Sequence, residues 1–189
     1  GPGGLGEGFS SLIDSDGNPR FKISLSIEKE ESAHRTLTLR AFFRQFPRNK
    51  VPDEYYEFLT GRLGKNPSEQ LYKTNSLKKQ VQSAHDESRC LTLGKDNKEI
   101  HAAIDEALGR NIEPWVLIGG PPCQAYSLVG RARNKGNTAY SAENDHRNFL
   151  YLEYLKVIAK FQPAVFVMEN VKGMLSAKIN GKKIIDDIL

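Results

Sequence analysis

The segment Trp115-Val116-Leu117-Ile118-Gly119-Gly120-Pro121-Pro122-Cys123-Gln124 decides the fold of this chain. It opens with four apolar residues in succession, and such a run is typical of a strand that is buried on both faces of a parallel sheet. The two glycines and two prolines then end the strand abruptly. A second apolar run, Ala164 to Met168, predicts a neighbouring strand.

Outward from these runs, the sequence predicts strands that alternate with helices. Residues Phe21 to Ile27 alternate apolar and polar side chains, which predicts a strand that ends near Glu28. Helices are predicted over 5–14, 30–46, 98–108 and 149–160, with a short strand at 90–93. The alternation indicates an α/β fold with a doubly wound, mostly parallel sheet and helices on both faces.

Apolar stripes predict which helix faces are buried. The stripe is Ala33, Leu37, Ala41 and Phe43 in the helix over 30–46, and Leu152, Leu155, Ile158 and Ala159 in the helix over 149–160. The polar stretch of about 47–88 carries Tyr55, Tyr56, Phe58, Leu59 and Leu63 at helical spacing. We interpret this stretch as a helical excursion from a single domain, since 189 residues fit one domain.

Composition excludes several classes of protein. No run approaches the ~18 apolar residues of a membrane span, and the start of the chain lacks the pattern of a signal peptide. The net charge of +4 permits a polyanionic partner without demanding one. Two cysteines, Cys90 and Cys123, are too few for a disulfide framework or a four-thiolate zinc site. We therefore predict no metal site and favour a reducing compartment.

Candidate site residues follow the predicted strands, because ligands of open parallel sheets bind beyond the carboxyl ends of the strands. Cys123 follows the Pro-Pro turn, where a thiolate could act as a nucleophile, although a lone cysteine is more often a small buried apolar residue. Glu169 follows Met168, where a carboxyl group could act as an acid, or simply as a helix cap or surface charge. Cys90, inside an apolar strand, is expected to be buried and inert.

Three further features lie where a ligand of such a fold could bind. The glycine-dense start of the chain, 1–4, could let backbone N–H groups approach a ligand, or could be a flexible terminus or cloning remnant. Glu28 could accept hydrogen bonds from ribose hydroxyls, or could be a solvated charge beside Lys29. Asp96, a little after Leu93, is a third acidic residue near a strand end.

These motifs resemble those of the cytosine carbon-5 DNA methyltransferases, a family that uses S-adenosylmethionine. The segment Gly119 to Ser127 resembles the family's Pro-Cys-Gln nucleophile motif, and Val167 to Gly173 resembles its Glu-Asn-Val motif. Gly1 to Gly4 is similar to the end of the glycine-rich cofactor motif. The segment 145–150 is similar to the one whose leucine lines the cofactor pocket. The resemblance covers nearly the whole chain.

The resemblance implies a role for each of these residues. Cys123 and Glu169 would be the catalytic pair, with S-adenosylmethionine as cofactor and S-adenosylhomocysteine as product. The implied cofactor-binding residues are Gly1, Pro2, Gly3, Gly4, Glu28, Lys29, Asp96, Pro122 and Leu150. The implied DNA-binding residues are Gln124, Ser127, Arg131 and Arg133, in a loop that also carries Lys135.

The activity implied by the resemblance is methylation of carbon 5 of cytosine in double-stranded DNA. It proceeds through a covalent cysteine adduct on a base that has flipped out of the duplex. The resemblance also implies a bacterial restriction-modification system with a cognate endonuclease. It further implies a cytoplasmic, nucleoid-associated location and a monomeric full-length enzyme.

The chain departs from the family pattern in several places. It starts inside the glycine-rich motif and stops before the family's arginine-bearing segment and target-recognition region. We therefore expect 1–189 to be a Rossmann-like cofactor-binding and catalytic domain, incomplete at both ends and inactive alone. Asp96 follows Gly94-Lys95, where the family has Gly-Asp directly. Two alternatives stay open: the tRNA-methylating branch of the family, and a non-catalytic fragment that binds DNA or cofactor.

Overall fold

The computed structural model describes residues 1–47, 49–109, 113–120 and 150–169, together with the backbone of 178–179 and 182–183. The chain folds as two compact units. The first consists of Gly1–Thr92 and Asp96–Gly109, and the second of Leu93–Lys95 and Arg110–Leu189. Within the described ranges, no helix combines the length and the apolar character that crossing a bilayer demands.

The first unit is mostly helical around one pair of parallel strands. Strand β1 (Ser26–Glu28) pairs in parallel with strand β2 (Ser88–Cys90), with Ser26 opposite Ser88 and Glu28 opposite Cys90. In chain order its elements are α1 (Gly4–Ser10), β1 (Ser26–Glu28), α2 (Glu31–Phe43), α3 (Asp53–Leu59), α4 (Pro67–Lys73), a 3₁₀ turn (Asn75–Leu77), α5 (Lys78–Glu87), β2 (Ser88–Cys90) and α6 (Asn97–Leu108). Three α-helices and the 3₁₀ turn thus occupy the stretch between α2 and β2.

The core of the first unit forms where α2 meets the helices that follow it. Its buried cluster is Ala41, Phe42, Leu71, Leu77 and Ala84. Leu37, Thr38, Ala41 and Phe42 are the buried residues of α2, so the prediction that Phe43 lies in the buried stripe was wrong. Phe43 is half-buried and packs against Tyr55, with ring centroids 5.1 Å apart. Adjacent residues point about 100° apart around a helix, so Phe42 faces the core while Phe43 lies at its edge.

The second unit contains the other parallel pair. Strand β3 (Val116–Gly119) pairs with β4 (Val165–Met168), with Val116 opposite Val165 and Gly119 opposite Met168. Helix α7 (Leu150–Phe161) precedes β4. Two short antiparallel strands follow, β5 (Lys178–Ile179) and β6 (Lys182–Lys183). The described residues therefore show an α/β protein with two small parallel strand pairs.

The prediction of strands buried on both faces was wrong for this pair. All four residues of β3 are half-buried, while Val165 and Phe166 of β4 are 54% and 42% exposed. The cause lies in what covers the strands. Tyr154 of α7 packs over their carboxyl ends, whereas Val165 and Phe166 lie at the amino end of β4.

The buried face of α7 also differs from the predicted stripe. Leu150, Tyr151, Tyr154 and Val157 are buried, at the i, i+3, i+4 and i+7 spacing of one helix face. The predicted residues Leu152, Leu155 and Ile158 are half-buried, and Ala159 is exposed. The helix is apolar over much of its circumference. Apolar pattern alone therefore did not select the buried face.

Candidate active site

The glycine turn at the start of the first unit is held against α2. Gly3 has φ +94°, a left-handed conformation in which a side chain is strained. A Cβ at Gly3 would also lie only 2.7 Å from Leu37 Cδ1. The carbonyl of Gly3 accepts a hydrogen bond from the Glu7 N–H at 3.0 Å, which begins α1. Both conformation and space therefore require glycine at this position.

Glu28 lies at the end of β1 with its carboxylate almost enclosed. The residue is 8% exposed. Its Oε1 accepts the Glu30 N–H at 2.8 Å. Burial raises the pKa of Glu28, whereas hydrogen bonds from the backbone N–H groups of Glu30 and Lys29 lower it. An ionised carboxylate has about four acceptor positions, so Glu28 retains room for hydroxyl donors.

The neighbours of Glu28 are exposed. The Lys29 ammonium lies 3.7 Å from Glu30 Oε1, and its side chain is largely in solvent. Cys90, opposite Glu28 in the strand pair, has its Sγ 3.8 Å from the Lys29 carbonyl oxygen. The expectation that Cys90 is buried was wrong, because it is a free, exposed thiol. It is the last residue of the short strand β2, and it lines an open groove of about 470 Å³ between β2 and α6.

Asp96 closes a turn just before α6. Its Oδ2 accepts the Thr92 N–H at 2.7 Å, and its own N–H donates to the Thr92 carbonyl at 2.9 Å. Its carbonyl accepts the Ile100 N–H at 2.9 Å, the first turn of α6. One carboxylate oxygen is thus engaged by the local backbone.

In the second unit, the carboxyl ends of β3 and β4 bring Glu169 to Gly120. The Glu169 N–H donates to the Gly119 carbonyl at 2.8 Å, which extends the ladder by one residue. A Cβ at Gly120 would lie 2.6 Å from Glu169 Oε2 and 3.1 Å from its carbonyl oxygen. The Glu169 carboxylate therefore lies directly over the backbone of Gly120. Glu169 is exposed, so its carboxylate is accessible.

Tyr154 of α7 supports the same strand ends from the helix side. A Cβ at Gly119 would lie 2.8 Å from the Tyr154 ring. The buried Tyr154 hydroxyl lies 3.3 Å from the Leu117 carbonyl oxygen and 3.1 Å from that of Val167, so it donates to one strand or the other. Burial raises the pKa of Tyr154 to about 12. Gly119, the last residue of β3, is thus constrained by Tyr154, and Gly120, the residue after the strand, by Glu169.

Leu150, the predicted cofactor-pocket residue, begins α7 and is buried. A Cβ at Gly94 would lie 3.8 Å from Leu150 Cδ2, so the backbone of Gly94 packs beside this side chain. Sequence reasoning missed Tyr154 and did not assign a partner to Gly120. The position of Tyr154, one turn after Leu150, is the signal that could have placed it on the buried face of α7.

The predicted site residues fall into three groups. Gly1 to Gly4, Glu28, Lys29 and Asp96 belong to the first unit, whereas Leu150 and Glu169 belong to the second. Pro122, Cys123, Gln124, Ser127, Arg131, Arg133 and Lys135 lie outside the described residues. Within each unit, the predicted residues lie at or near the carboxyl ends of the strands. Gly120, under the Glu169 carboxylate, is three residues before Cys123.

This geometry defines an α/β protein in which the Glu169 carboxylate lies at the carboxyl ends of two parallel strands, next to Gly119 and Gly120. Residues 69–189 match the model of the C-5 cytosine-specific DNA methylase family. The chain belongs to that family.

Bacterial methyltransferases are among the similar proteins. The type II methyltransferase M.Bpa9945I of Bacillus paralicheniformis is 30% identical over 94% of this chain and 40% of its own length. M.DdeI of Desulfomicrobium norvegicum is 40% identical over 39% of this chain and 15% of its own. M.AquIA of Picosynechococcus is 44% identical over 39% of this chain and 26% of its own. The chain thus spans less than half the length of these relatives. No solved structure matches it significantly.

Proposed function

We propose that this chain supplies the cofactor-binding and catalytic residues of an enzyme that methylates carbon 5 of cytosine in double-stranded DNA. Family membership and the type II names of the relatives support a role in a restriction-modification system. The finer prediction, a single Rossmann-like doubly wound sheet, is part of this proposal. So are a cognate endonuclease as functional counterpart and a monomeric full-length enzyme.

The observation that carries the proposal is the position of Glu169 over Gly120. Gly120 leads through Pro121 and Pro122 into Cys123, so the chain can bring a thiol and a carboxyl group to one place. Cytosine carbon 5 is a poor nucleophile, and these two groups are what its activation needs. The Cys123 thiolate would add to carbon 6, while the Glu169 carboxyl group donates a proton or hydrogen bond at ring nitrogen 3.

Addition of the thiolate turns the ring into an enamine whose carbon 5 is nucleophilic. When S-adenosylmethionine is bound, it supplies an electrophilic methyl group on sulfur. Loss of the carbon-5 proton then expels Cys123 and restores the aromatic ring. The target base must leave the duplex for this chemistry. We assign Gln124 and Ser127 to the DNA contact, with Arg131 and Arg133 pairing with phosphates.

The residues of the first unit fit the proposed cofactor. Gly3 leaves space where a side chain would collide with Leu37, and the enclosed, ionised Glu28 presents free acceptor positions to ribose hydroxyls. We assign Asp96, whose Oδ2 accepts the Thr92 N–H just before α6, to the adenine amino group. We assign Gly1, Pro2, Gly4, Lys29, Pro122 and Leu150 to the same pocket.

A covalent trap tests this proposal. Full-length protein is incubated with S-adenosylmethionine and duplex DNA that carries 5-fluorocytosine at the target, because fluorine prevents the final elimination. We expect a protein–DNA adduct that resists denaturation and is absent from Cys123→Ala. Glu169→Gln should form it much more slowly, because the amide cannot donate the carboxyl proton.

Cys90→Ala is the matched control, because Cys90 is the other cysteine and its thiol is exposed. It should form the adduct at the wild-type rate. An adduct that depends on Cys90, or one that forms on tRNA but not on duplex DNA, would contradict the proposal.

A further inference from the structure

One face of α2 is built against the glycine turn of the first unit. Leu37, Arg40 and Arg44 follow one another at i, i+3 and i+7, so they lie along one side of the helix. Leu37 Cδ1 occupies the space beside Gly3 where a side chain would otherwise go. The two arginines extend this contact from the turn into α1.

Arg40 holds the turn itself. Its Nη1 donates a hydrogen bond to the Pro2 carbonyl at 2.9 Å. Its Cδ and Nη1 would lie 3.7 and 3.8 Å from a Cβ at Gly3, so the side chain also packs across that glycine. Arg40 therefore fixes the backbone at two successive positions of the turn.

Arg44, one helical turn further, holds the helix that follows the turn. Its Nη1 donates to Glu7 of α1, and its Nη2 donates to Glu87 at the end of α5. Its side chain is 15% exposed and that of Glu87 7%. One guanidinium thus connects three helices.

A buried ion pair of this kind adds little net stability, since the desolvation of the charges offsets their attraction. Here the desolvation is evident. Burial raises the pKa of Glu87 above its usual value although Arg44 lies beside it, and the buried Arg44 Nε has no hydrogen-bond partner among the residues that the structure describes. What a guanidinium fork provides beyond an apolar contact is direction, because its donors point at fixed angles.

The other end of α2 is fixed to Glu28. The Glu30 N–H, at the residue that precedes α2, donates to Glu28 Oε1 at 2.8 Å. Helix α2 therefore runs from the carboxylate predicted to bind ribose to the arginines that hold the glycine turn. Helix α2 alone therefore sets the distance between Glu28 and the part of the glycine turn that the two arginines hold.

We propose that Arg40 and Arg44 are positioning residues for the cofactor: they hold the glycine turn at the distance from Glu28 that S-adenosylmethionine requires. The inference rests on the proposed function and adds two residues that touch neither cofactor nor DNA. Displacement of a binding group by about 1 Å is costly, so loss of either arginine should weaken cofactor binding about tenfold or more.

The test uses full-length enzyme with Arg40→Met and Arg44→Met, since methionine keeps much of the apolar stem. Calorimetry gives the Kd of S-adenosylmethionine at a temperature where each variant is folded, and steady-state kinetics give kcat and KM for both substrates. We expect Kd and KM for the cofactor to rise about tenfold, while kcat and KM for DNA stay within about twofold. Arg35→Met is the matched control, because Arg35 is on α2 but pairs only at the surface, with Glu31.

Conservative variants separate positioning from mere stability. Arg40→Lys should restore most of the affinity, because one ammonium donor suffices for one carbonyl. Arg44→Lys should not, because a single ammonium cannot reproduce a fork directed at two helices. A lower melting temperature with unchanged cofactor Kd would overturn the inference, as would an equal effect of Arg35→Met. Failure of the wild-type enzyme to bind S-adenosylmethionine would instead refute the proposed function.

Discussion

At the scale of single residues, Gly120 is the position on which the proposed chemistry depends most. Its backbone needs no left-handed conformation, since its φ lies outside the range that favours glycine. The reason for glycine here is space alone, because a Cβ at this position would lie only 2.6 Å from Oε2 of Glu169. A methyl group at this position must displace that carboxylate, and the Glu169 carbonyl oxygen, 3.1 Å from the added carbon, must shift by only a few tenths of an ångström.

We therefore predict that Gly120→Ala abolishes most activity without unfolding the protein. A displacement of about 1 Å at a catalytic group reduces rates about 100-fold, and we expect a loss of this size in kcat. The melting temperature should change far less. Single-turnover methylation and thermal unfolding measure the two effects on the same sample.

Gly8→Ala in α1 is the matched control, because nothing lies within 4 Å of a Cβ there and its φ is also ordinary. Alanine in a helix is slightly more stable than glycine, so this variant should keep full activity. Full activity of Gly120→Ala would show that the observed position of the Glu169 carboxylate is unimportant for the reaction.

At the scale of elements, α7 and the strand pair depend on one buried tyrosine. The Tyr154 hydroxyl donates toward the Leu117 and Val167 carbonyls, and the ring lies against Gly119. Removing the hydroxyl in Tyr154→Phe keeps the ring and loses the hydrogen bond. We expect the free energy of unfolding to fall by about 1 kcal/mol, as is typical for such a bond.

The pH dependence of stability gives this prediction a second readout. Tyrosine ionises near pH 10 in the unfolded chain, whereas the buried Tyr154 has a pKa of about 12. Between these values the folded state binds more protons, so its stability falls as pH rises. Denaturant unfolding from pH 8 to 11 should show that the free energy of unfolding falls less with rising pH in Tyr154→Phe than in the wild type. Identical slopes for the two proteins would contradict the buried environment of this hydroxyl.

The predicted bounds were accurate to one residue for some helices and strands and wrong for others: β4 was predicted over 164–168 and is Val165–Met168, whereas the helix predicted over 5–14 ends at Ser10. Helices α6 and α7 begin and end within one residue of the prediction, because their apolar periodicity is strong. The predicted strand over 21–27 is reduced to Ser26–Glu28, since pairing with β2 spans only three residues. Alternation can reveal the extended tendency of a segment, but the length of its partner decides how much of it joins a sheet.

The sequence predicted which residues follow the strands at the candidate site, but not how their side chains pack. The placement of Glu28 and Glu169 after strands follows from the apolar runs before them. The packing of Glu169 over Gly120 and of Tyr154 over Gly119 does not, because it depends on register and on the face that α7 presents. Exposure of Cys90 was missed because the run around it gives no sign that β2 ends at that residue.

At the scale of the whole molecule, charge is the property that bears on DNA binding. The net charge of this chain is only +4, so its own long-range attraction to DNA is expected to be modest, and local groups of cations are its candidates for phosphate contacts. The segment after Cys123 carries Arg131, Arg133 and Lys135 within five residues. Each phosphate contact releases condensed counterions, so its contribution appears in the salt dependence of binding.

We predict that Arg131→Ala and Arg133→Ala each lower the slope of log affinity against log salt by about one unit in the full-length protein. Titrations of duplex DNA from low to moderate salt measure the slope, with cofactor Kd as an independent check that should not change. Lys73→Ala is the control, because Lys73 already pairs with Glu69 on α4 and should leave the slope unchanged. If all three variants keep the wild-type slope, Arg131 and Arg133 do not contact phosphates. An equal decrease in all three would indicate a diffuse effect of charge, since a local contact would make the two arginines differ from Lys73.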